Sequence, residues 1–272
     1  MDKQENQDRH GGLQHICARG HLQLQGVGVT YPGGFCVFKE INLDIRRGQF
    51  IAVVGLSGHG KTTLIRVIGA LIPHSDGRVL LDGTEIDEKN RGREFSYVFQ
   101  NPVLLPWRTV LGNVMLPAEI FQNGEVAARA EDMIRLVGLA EFKNAYPDQL
   151  SGGMKARVAI ARALTYKPTL LLMDEPFGDL DEINRNKMNL ELLRIWETTK
   201  TTTVFVTQSL EEATFLADRI VVLGPPPSGI VADILNDSFR RPRDLSLLDR
   251  AEFAVQLAKV RSILRKTGND NK

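Results

Sequence analysis

The 272-residue sequence predicts an α/β fold with a mainly parallel sheet and an inserted helical subdomain. Three observations predict it. Phe50–Val54 is a short apolar run that stops at Gly55, and a helical pattern begins at Lys61, so strand, glycine loop and helix follow one another directly. Strand signals return at 169–173, 203–207 and 219–223 with helical patterns at about 182–199 and 210–217 between them, and that alternation implies parallel pairing. Between about 101 and 166 the pattern turns helical, near 109–121, 125–137 and 154–166, which reads as an insertion into the α/β core.

Along the chain, residues 1–21 are polar, lack the apolar centre of a signal peptide and read as a disordered tail. His10, His15, Cys17 and His21 fall within that tail at spacings that fit no familiar metal site. Leu22, Leu24, Val27 and Val29 alternate as a half-buried strand does, Pro32-Gly33-Gly34 is a turn, and Cys36 to Ile45 reads as a second strand ending at Arg46-Arg47-Gly48. Val79 to Leu81 and Phe95 to Phe99 read as further strands. Pro225-Pro226-Pro227 is a break. The main domain is placed at 22–235, and 236–272 is read as a helical extension with an amphipathic helix at 246–266. Two readings stand for that helix: a regulatory or dimer contact, or packing on its own domain.

A net charge of +1 gives no basic face for nucleic acid. No run approaches the roughly 18 apolar residues of a membrane span. Cys17 and Cys36 make neither a metal nor a disulfide pattern, which fits a reducing compartment. The expected location is therefore cytoplasmic, with any membrane attachment made through a partner.

Three segments carry chemistry. Gly55-Leu56-Ser57-Gly58-His59-Gly60-Lys61-Thr62-Thr63 matches G-x-x-x-x-G-K-[ST] in full. Its glycines let backbone N–H groups turn inward as an anion nest, and the following helix adds the positive end of its dipole. Lys61 is placed to reach the β- and γ-phosphates, Thr62 to ligate Mg²⁺ and Thr63 to hold the α-phosphate. Asp174-Glu175 follows four apolar residues at a strand end: Asp174 orients the metal, and Glu175 positions and polarises a water in line with the γ-phosphate. Leu150-Ser151-Gly152-Gly153-Met154 opens a helix and makes a second anion-binding terminus. One ATP does not need two such termini from one subunit, so Ser151, Gly152 and Gly153 are read as closing on the nucleotide of an opposite subunit.

In this order the three segments resemble the ATP-binding subunit of an ATP-binding cassette (ABC) transporter, over about residues 22–235. The resemblance implies the P-loop ABC ATPase fold, α/β with an antiparallel β subdomain beside the mainly parallel sheet and the inserted helical subdomain, ATP and Mg²⁺ as ligands, and further roles. Tyr31 stands where the family stacks an aromatic on adenine, and Gln100 where its glutamine loop senses Mg²⁺ and links to the membrane partner. Phe177-Gly178-Asp179-Leu180-Asp181 stands where a loop crosses the dimer interface, with Asp179 at a position usually held by Ala. Val98-Phe99-Gln100-Asn101-Pro102, Leu104-Leu105-Pro106-Trp107-Arg108-Thr109-Val110, Asn113-Val114 and Arg240-Arg241-Pro242-Arg243-Asp244 resemble the nitrate/sulfonate/taurine importer branch. That narrower resemblance implies a peripheral position on the cytoplasmic face of the membrane. It also implies integral-membrane permease subunits that meet the Leu104–Trp107 segment, a second ABC ATPase subunit (the same chain or a paralogue) and a solute-binding protein. Soluble ABC ATPases of translation or DNA repair carry two cassettes or a long coiled-coil insertion, which this sequence lacks.

One position departs from the family. After the strand 203–206 the family has Thr-His, whereas this chain has Thr207-Gln208-Ser209-Leu210-Glu211-Glu212-Ala213. Gln208 thus stands at the switch-histidine position, and no histidine follows His74. Glutamine donates hydrogen bonds but carries no charge. Two expectations follow: an ATPase that works with Gln208 as its switch, or an ATP-binding subunit whose own site is catalytically degenerate and whose role is regulatory or structural. His59, where a smaller residue is common, is expected to point away from the phosphates.

Overall fold

Residues 21–87 and 94–269 are described by a computed structural model, with the backbone alone for Gly268 and Asn269. β1 (Leu22–Thr30) and β2 (Cys36–Ile45) pair antiparallel across a turn in which Gly33 and Gly34 both take positive φ. β3 (Phe50–Val54) is buried along its whole length, as a central parallel strand must be. It runs into α1 (Lys61–Ile68) through the glycine loop. β4 (Asp76–Leu81) and β5 (Thr84–Glu85) complete a four-stranded antiparallel sheet of order β2-β1-β4-β5.

After β6 (Phe95–Val98) the chain leaves the sheet for α2 (Val110–Val114), α3 (Leu116–Phe121), α4 (Gly124–Leu136) and α5 (Gly152–Thr165). It returns as β7 (Leu170–Asp174), α6 (Glu182–Thr199), β8 (Thr202–Val206), α7 (Leu210–Leu216), β9 (Arg219–Leu223), β10 (Ile230–Leu235) and α8 (Ala251–Asn269). The second sheet has the order β10-β9-β3-β8-β7-β6, parallel except for β10, which pairs antiparallel with β9. The helical stretch expected at 109–121 is split in two, because Pro117 near the start of α3 has no N–H to continue the ladder. β5 and β10 add strands to those read from the sequence.

The strand order positions everything that follows. Parallel strands end at the same edge of the sheet, and neighbours lie about 4.8 Å apart. Val53 is level with Val206, and Val206 with Asp174, so the ends of β3, β8 and β7 stand in one row. The glycine loop leaves the first, Thr207-Gln208 the second and Glu175 the third. Such carboxyl ends of parallel strands are where open α/β sheets bind ligands.

At the start of the described chain, His21 lies inside the segment read as a disordered tail but is 3 % exposed. Its ring nitrogens meet Asp82 Oδ1 at 2.8 Å and the Thr169 carbonyl at 3.2 Å, so it ties the antiparallel sheet to the core. The rest of the tail, with His10, His15 and Cys17, lies outside the described residues.

At the other end, α8 buries Phe253, Val260 and Leu264 against its own domain, which answers one of the two readings of this helix. Residues 236–243 take the carbonyls at the end of α7, which have no partner within the helix. Asn236 Nδ2 donates to Thr214 and Ala217, both at 2.7 Å. Arg241 Nη2 donates to Leu216 at 2.6 Å, and Arg243 Nη1 to Phe215 at 2.7 Å and Ala217 at 3.0 Å. Burial, with Arg241 beside it, pushes the Arg243 guanidinium down to about 10, which leaves it charged at neutral pH.

Candidate functional site

The loop between β3 and α1 turns through Gly58 (φ 83°) and Gly60 (φ 84°), a left-handed backbone that L side chains rarely adopt. Gly60 is also pressed against the antiparallel sheet, since a Cβ there would lie 2.6 Å from Val37 Cγ1. Lys61 is 5 % exposed, and its ammonium donates to the carbonyls of Gly55 (3.0 Å) and Leu56 (3.1 Å) across the mouth of the loop. Burial lowers its pKa, against the upward pull of Glu175 and Asp174. Glu175 Oε1 is 3.9 Å away. His59 is buried, with Nδ1 2.9 Å from the Leu223 carbonyl, and so turns toward β9.

Thr62 donates its hydroxyl to Asp174 Oδ1 at 3.2 Å, and Tyr97 donates to Asp174 Oδ2 at 3.2 Å. Asp174 is 6 % exposed. Burial raises its pKa, the Tyr97 and Thr62 hydroxyls oppose that, and Glu175 adds to it. Burial and the Asp174 carboxylate likewise push the Tyr97 phenol up, so it stays a donor. A hydroxyl and a carboxylate side by side at the head of α1 are the hard oxygen donors that Mg²⁺ takes, usually alongside phosphate oxygens and waters. The pair fits that ion. Tyr97, seventy-seven positions from Asp174, is a site residue the sequence reading missed.

Glu175 has φ 46°, a left-handed conformation that costs a non-glycine residue on the order of 1–2 kcal/mol. Its N–H donates to Val206 O at 2.9 Å, and its carbonyl accepts from Gly178 N at 3.1 Å, so both sides of the bend are held. The bend points the carboxylate at β8. There Gln208 Nε2 donates to Glu175 Oε2 at 2.9 Å and to Oε1 at 3.0 Å. The residue at the switch position therefore grips both oxygens of the candidate general base.

Gln100 follows β6, the next strand in the row. Its Nε2 is 3.7 Å from where a Cβ on Gly178 would stand, which puts it beside the turn that carries Glu175. Among the described residues no hydrogen bond joins Gln100 to Thr62 or Asp174. Tyr31 is exposed at the end of β1, and its hydroxyl lies 3.2 Å from Thr63 Oγ1, at the head of α1.

Ser151, Gly152 and Gly153 are not brought to this cluster. Ser151 caps α5 by accepting from Met154 N at 3.3 Å, a contact worth about 1 kcal/mol. With Leu180, Asn184 and Lys187 these residues line a separate groove of about 440 Å³ to which the phosphate loop contributes nothing. The 101–107 segment is split between the two readings of it: Leu104 packs on the core while Trp107 is 71 % exposed. The buried Asn113 holds its shape, accepting from Leu105 N at 2.8 Å and donating to the Leu105, Arg108 and Thr109 carbonyls. Arg162, on α5, donates to the carbonyls of Pro102 and Val103.

Residues 38–178 match the family model described as ABC transporter. The chain belongs to the ABC transporter family. The ATP-binding subunits of ABC transporters are ATPases, and this cassette is one of them. It is 40 % identical over 232 residues to the nitrate import ATP-binding protein NrtD of Synechococcus elongatus, covering 83 % of this chain and 84 % of that protein. It is 41 % identical over 234 residues to the taurine import ATP-binding protein TauB of Rhizobium johnstonii, covering 84 % and 88 %. Among solved structures, a dimeric ATP-binding cassette in a post-hydrolysis state with ADP and Pi matches with TM-score 0.69 at 33 % identity, over 80 % of this chain and 100 % of that one. Among the described residues of this ABC cassette no helix is long and apolar enough to cross a membrane.

Proposed function

We propose that this chain is the motor subunit of an importer for a small anion, of the class that nitrate and taurine represent among its relatives. The observation that carries this is the row at the sheet edge: Lys61 in its loop, Gln208 gripping Glu175, and Asp174 beside Thr62. ATP enters with its adenine on Tyr31 and its phosphates over Gly55, Ser57, Gly58, Gly60 and Lys61. Lys61 exchanges its two carbonyl partners for phosphate oxygens, and Thr63 meets the α-phosphate. Thr62 and Asp174 would hold Mg²⁺, with Gln100 as a further candidate ligand, and the ion would supply charge neutralisation on the phosphates. Glu175 orients the attacking water and accepts its proton. Gln208 keeps the carboxylate aimed.

The Ser151–Gly153 terminus lines a groove separate from the phosphate loop, so on this reading a second cassette, head to tail, completes each site, and a relative solved as a dimer supports the pairing of cassettes. Closing and opening of the dimer then drives permease subunits seated on the exposed Trp107 face at the cytoplasmic side of the membrane, with a solute-binding protein delivering the anion. A second reading is favoured by one fact, that Gln208 cannot be cationic. It is a subunit that binds ATP, hydrolyses it very slowly and lends Ser151–Gly153 to a partner's site. Steady-state ATPase rates of the permease-bound protein and its Glu175→Gln variant separate the two. A large fall in the variant supports the motor. Two equally low rates support the second reading.

A further inference from the structure

Two buried polar atoms behind the switch have no hydrogen-bond partner among the described residues, and they face each other. They are Arg185 Nε on α6 and Glu212 Oε1 on α7, 4.0 Å apart. Each side chain is otherwise committed. Arg185 Nη2 donates at 2.6 Å to the carbonyl of Leu180, in the loop Phe177–Asp181. Glu212, 4 % exposed, accepts through Oε2 from the Thr207 hydroxyl, and Thr207 Oγ1 in turn accepts from Ser209 N at 2.9 Å. Thr207 immediately precedes Gln208, whose amide grips Glu175. The chain of contacts runs from Leu180 through Arg185 and Glu212 to Thr207, and from there to the general base. Its only open link is the 4.0 Å gap.

Glu212 is buried and Arg185 stands at ion-pair distance from it, yet no hydrogen bond joins them, and a buried charge is costly unless its pairing includes good hydrogen bonds. Here a movement of about 1 Å converts the gap into a charge-assisted hydrogen bond. A closed arrangement beside the open one of this structure is what mechanical coupling between two loops would require. The end of the chain at Leu180 also lines the groove of the Ser151 terminus. It is the part of the site that a second cassette touches on the reading above, on which this inference rests.

We propose that Arg185 and Glu212 are positioning residues that close on one another when the loop Phe177–Asp181 is engaged by a second subunit, seating Thr207-Gln208 and with it Glu175. Neither touches nucleotide. Both act on the rate of the chemical step and not on ATP affinity.

The test is a double-mutant cycle on the permease-bound protein, with Arg185→Met, Glu212→Gln and the pair, and Glu175→Gln as the blank. Glu212→Gln keeps the shape and the acceptor for Thr207 while removing the charge. We expect each single variant to lower kcat about tenfold with KM for ATP within twofold of the unmodified protein, and the double variant to be no slower than the slower single. Arg185→Lys, which keeps charge but not the two-armed fork, is expected to recover part of the loss. Multiplying losses, a change confined to KM, or Glu212→Gln within twofold of the unmodified kcat each overturn the proposal. If Arg185→Met does not fold, Glu212→Gln alone decides. An unmodified rate no higher than the blank refutes the motor reading itself, a result distinct from all of these.

Discussion

Removing the Gln208 amide is the sharpest perturbation of the site. In Gln208→Ala the carboxylate of Glu175 loses donors at 2.9 and 3.0 Å. A hydrogen bond to a charged group contributes about 1.5–3 kcal/mol, and Gln208 is exposed, so the low end applies to each. Losing one to two such contacts removes roughly 1.5–3 kcal/mol of positioning. At about 1.4 kcal/mol per factor of ten, kcat falls about 10- to 100-fold. KM for ATP stays within about twofold, because the phosphate loop and Tyr31 are untouched. Steady-state phosphate release from the permease-bound protein, with Glu175→Gln as the zero, measures both. Gln208→His regains the grip and adds a cation beside the γ-phosphate, so its kcat rises above the unmodified value. A Gln208→Ala enzyme within twofold of the unmodified rate refutes the reasoning, because the grip on Glu175 then holds nothing the reaction uses.

Gly60→Ala puts a methyl where Val37 Cγ1 lies 2.6 Å away, at a φ of 84°. Loss of ATP binding in a nucleotide titration, together with a lower melting point, is the expected result. Arg243→Ala strips donors from the carbonyls of Phe215 and Ala217 inside the protein. It should cost about 3 kcal/mol, or roughly 6–12 °C in melting temperature for a domain of this size. Glu212 faces Arg185 and senses Glu175, and burial holds its pKa above the ordinary carboxylate value. The folded state therefore keeps that proton longer than the unfolded one, and stability falls as pH rises through the window between the two values. Melting curves from pH 4 upward should show this decline in the unmodified protein and a flatter profile in Glu212→Gln.

How much of this was legible in the chain depends on how local the cause was. The loop 55–63 declared itself because glycine spacing, an apolar strand and a helix start lie within twenty residues. Asp174-Glu175 and Gln208 were legible because each ends an apolar run, and the β3-β8-β7 order then sets them side by side. What stayed hidden depends on distant partners. Tyr97 is one polar residue in a short strand until β6 pairs with β7 and brings it to Asp174. Arg185 and Glu212 lie on different helices, and only the packing of α6 on α7 brings them to 4.0 Å and buries Glu212. β10 was missed because its alternation is weak and it follows directly on a proline break. Arg240–Asp244 was visible as a motif, but its acceptors are backbone carbonyls, which have no letter in a sequence.

Those carbonyls impose an order on the making of the protein. The helix that begins just after Gln208 ends in four acceptors that, among the described residues, are met by Asn236, Arg241 and Arg243. A chain grows from its N-terminus and folds as it emerges. The phosphate loop, the Thr62–Asp174 pair and Glu175 are all synthesised before those donors exist. A nascent cassette is thus equipped to hold nucleotide earlier than it can hold its switch helix in place. The closing segment is in effect the last fastening, and cleavage at residue 235 would leave a protein arrested in that unfinished condition.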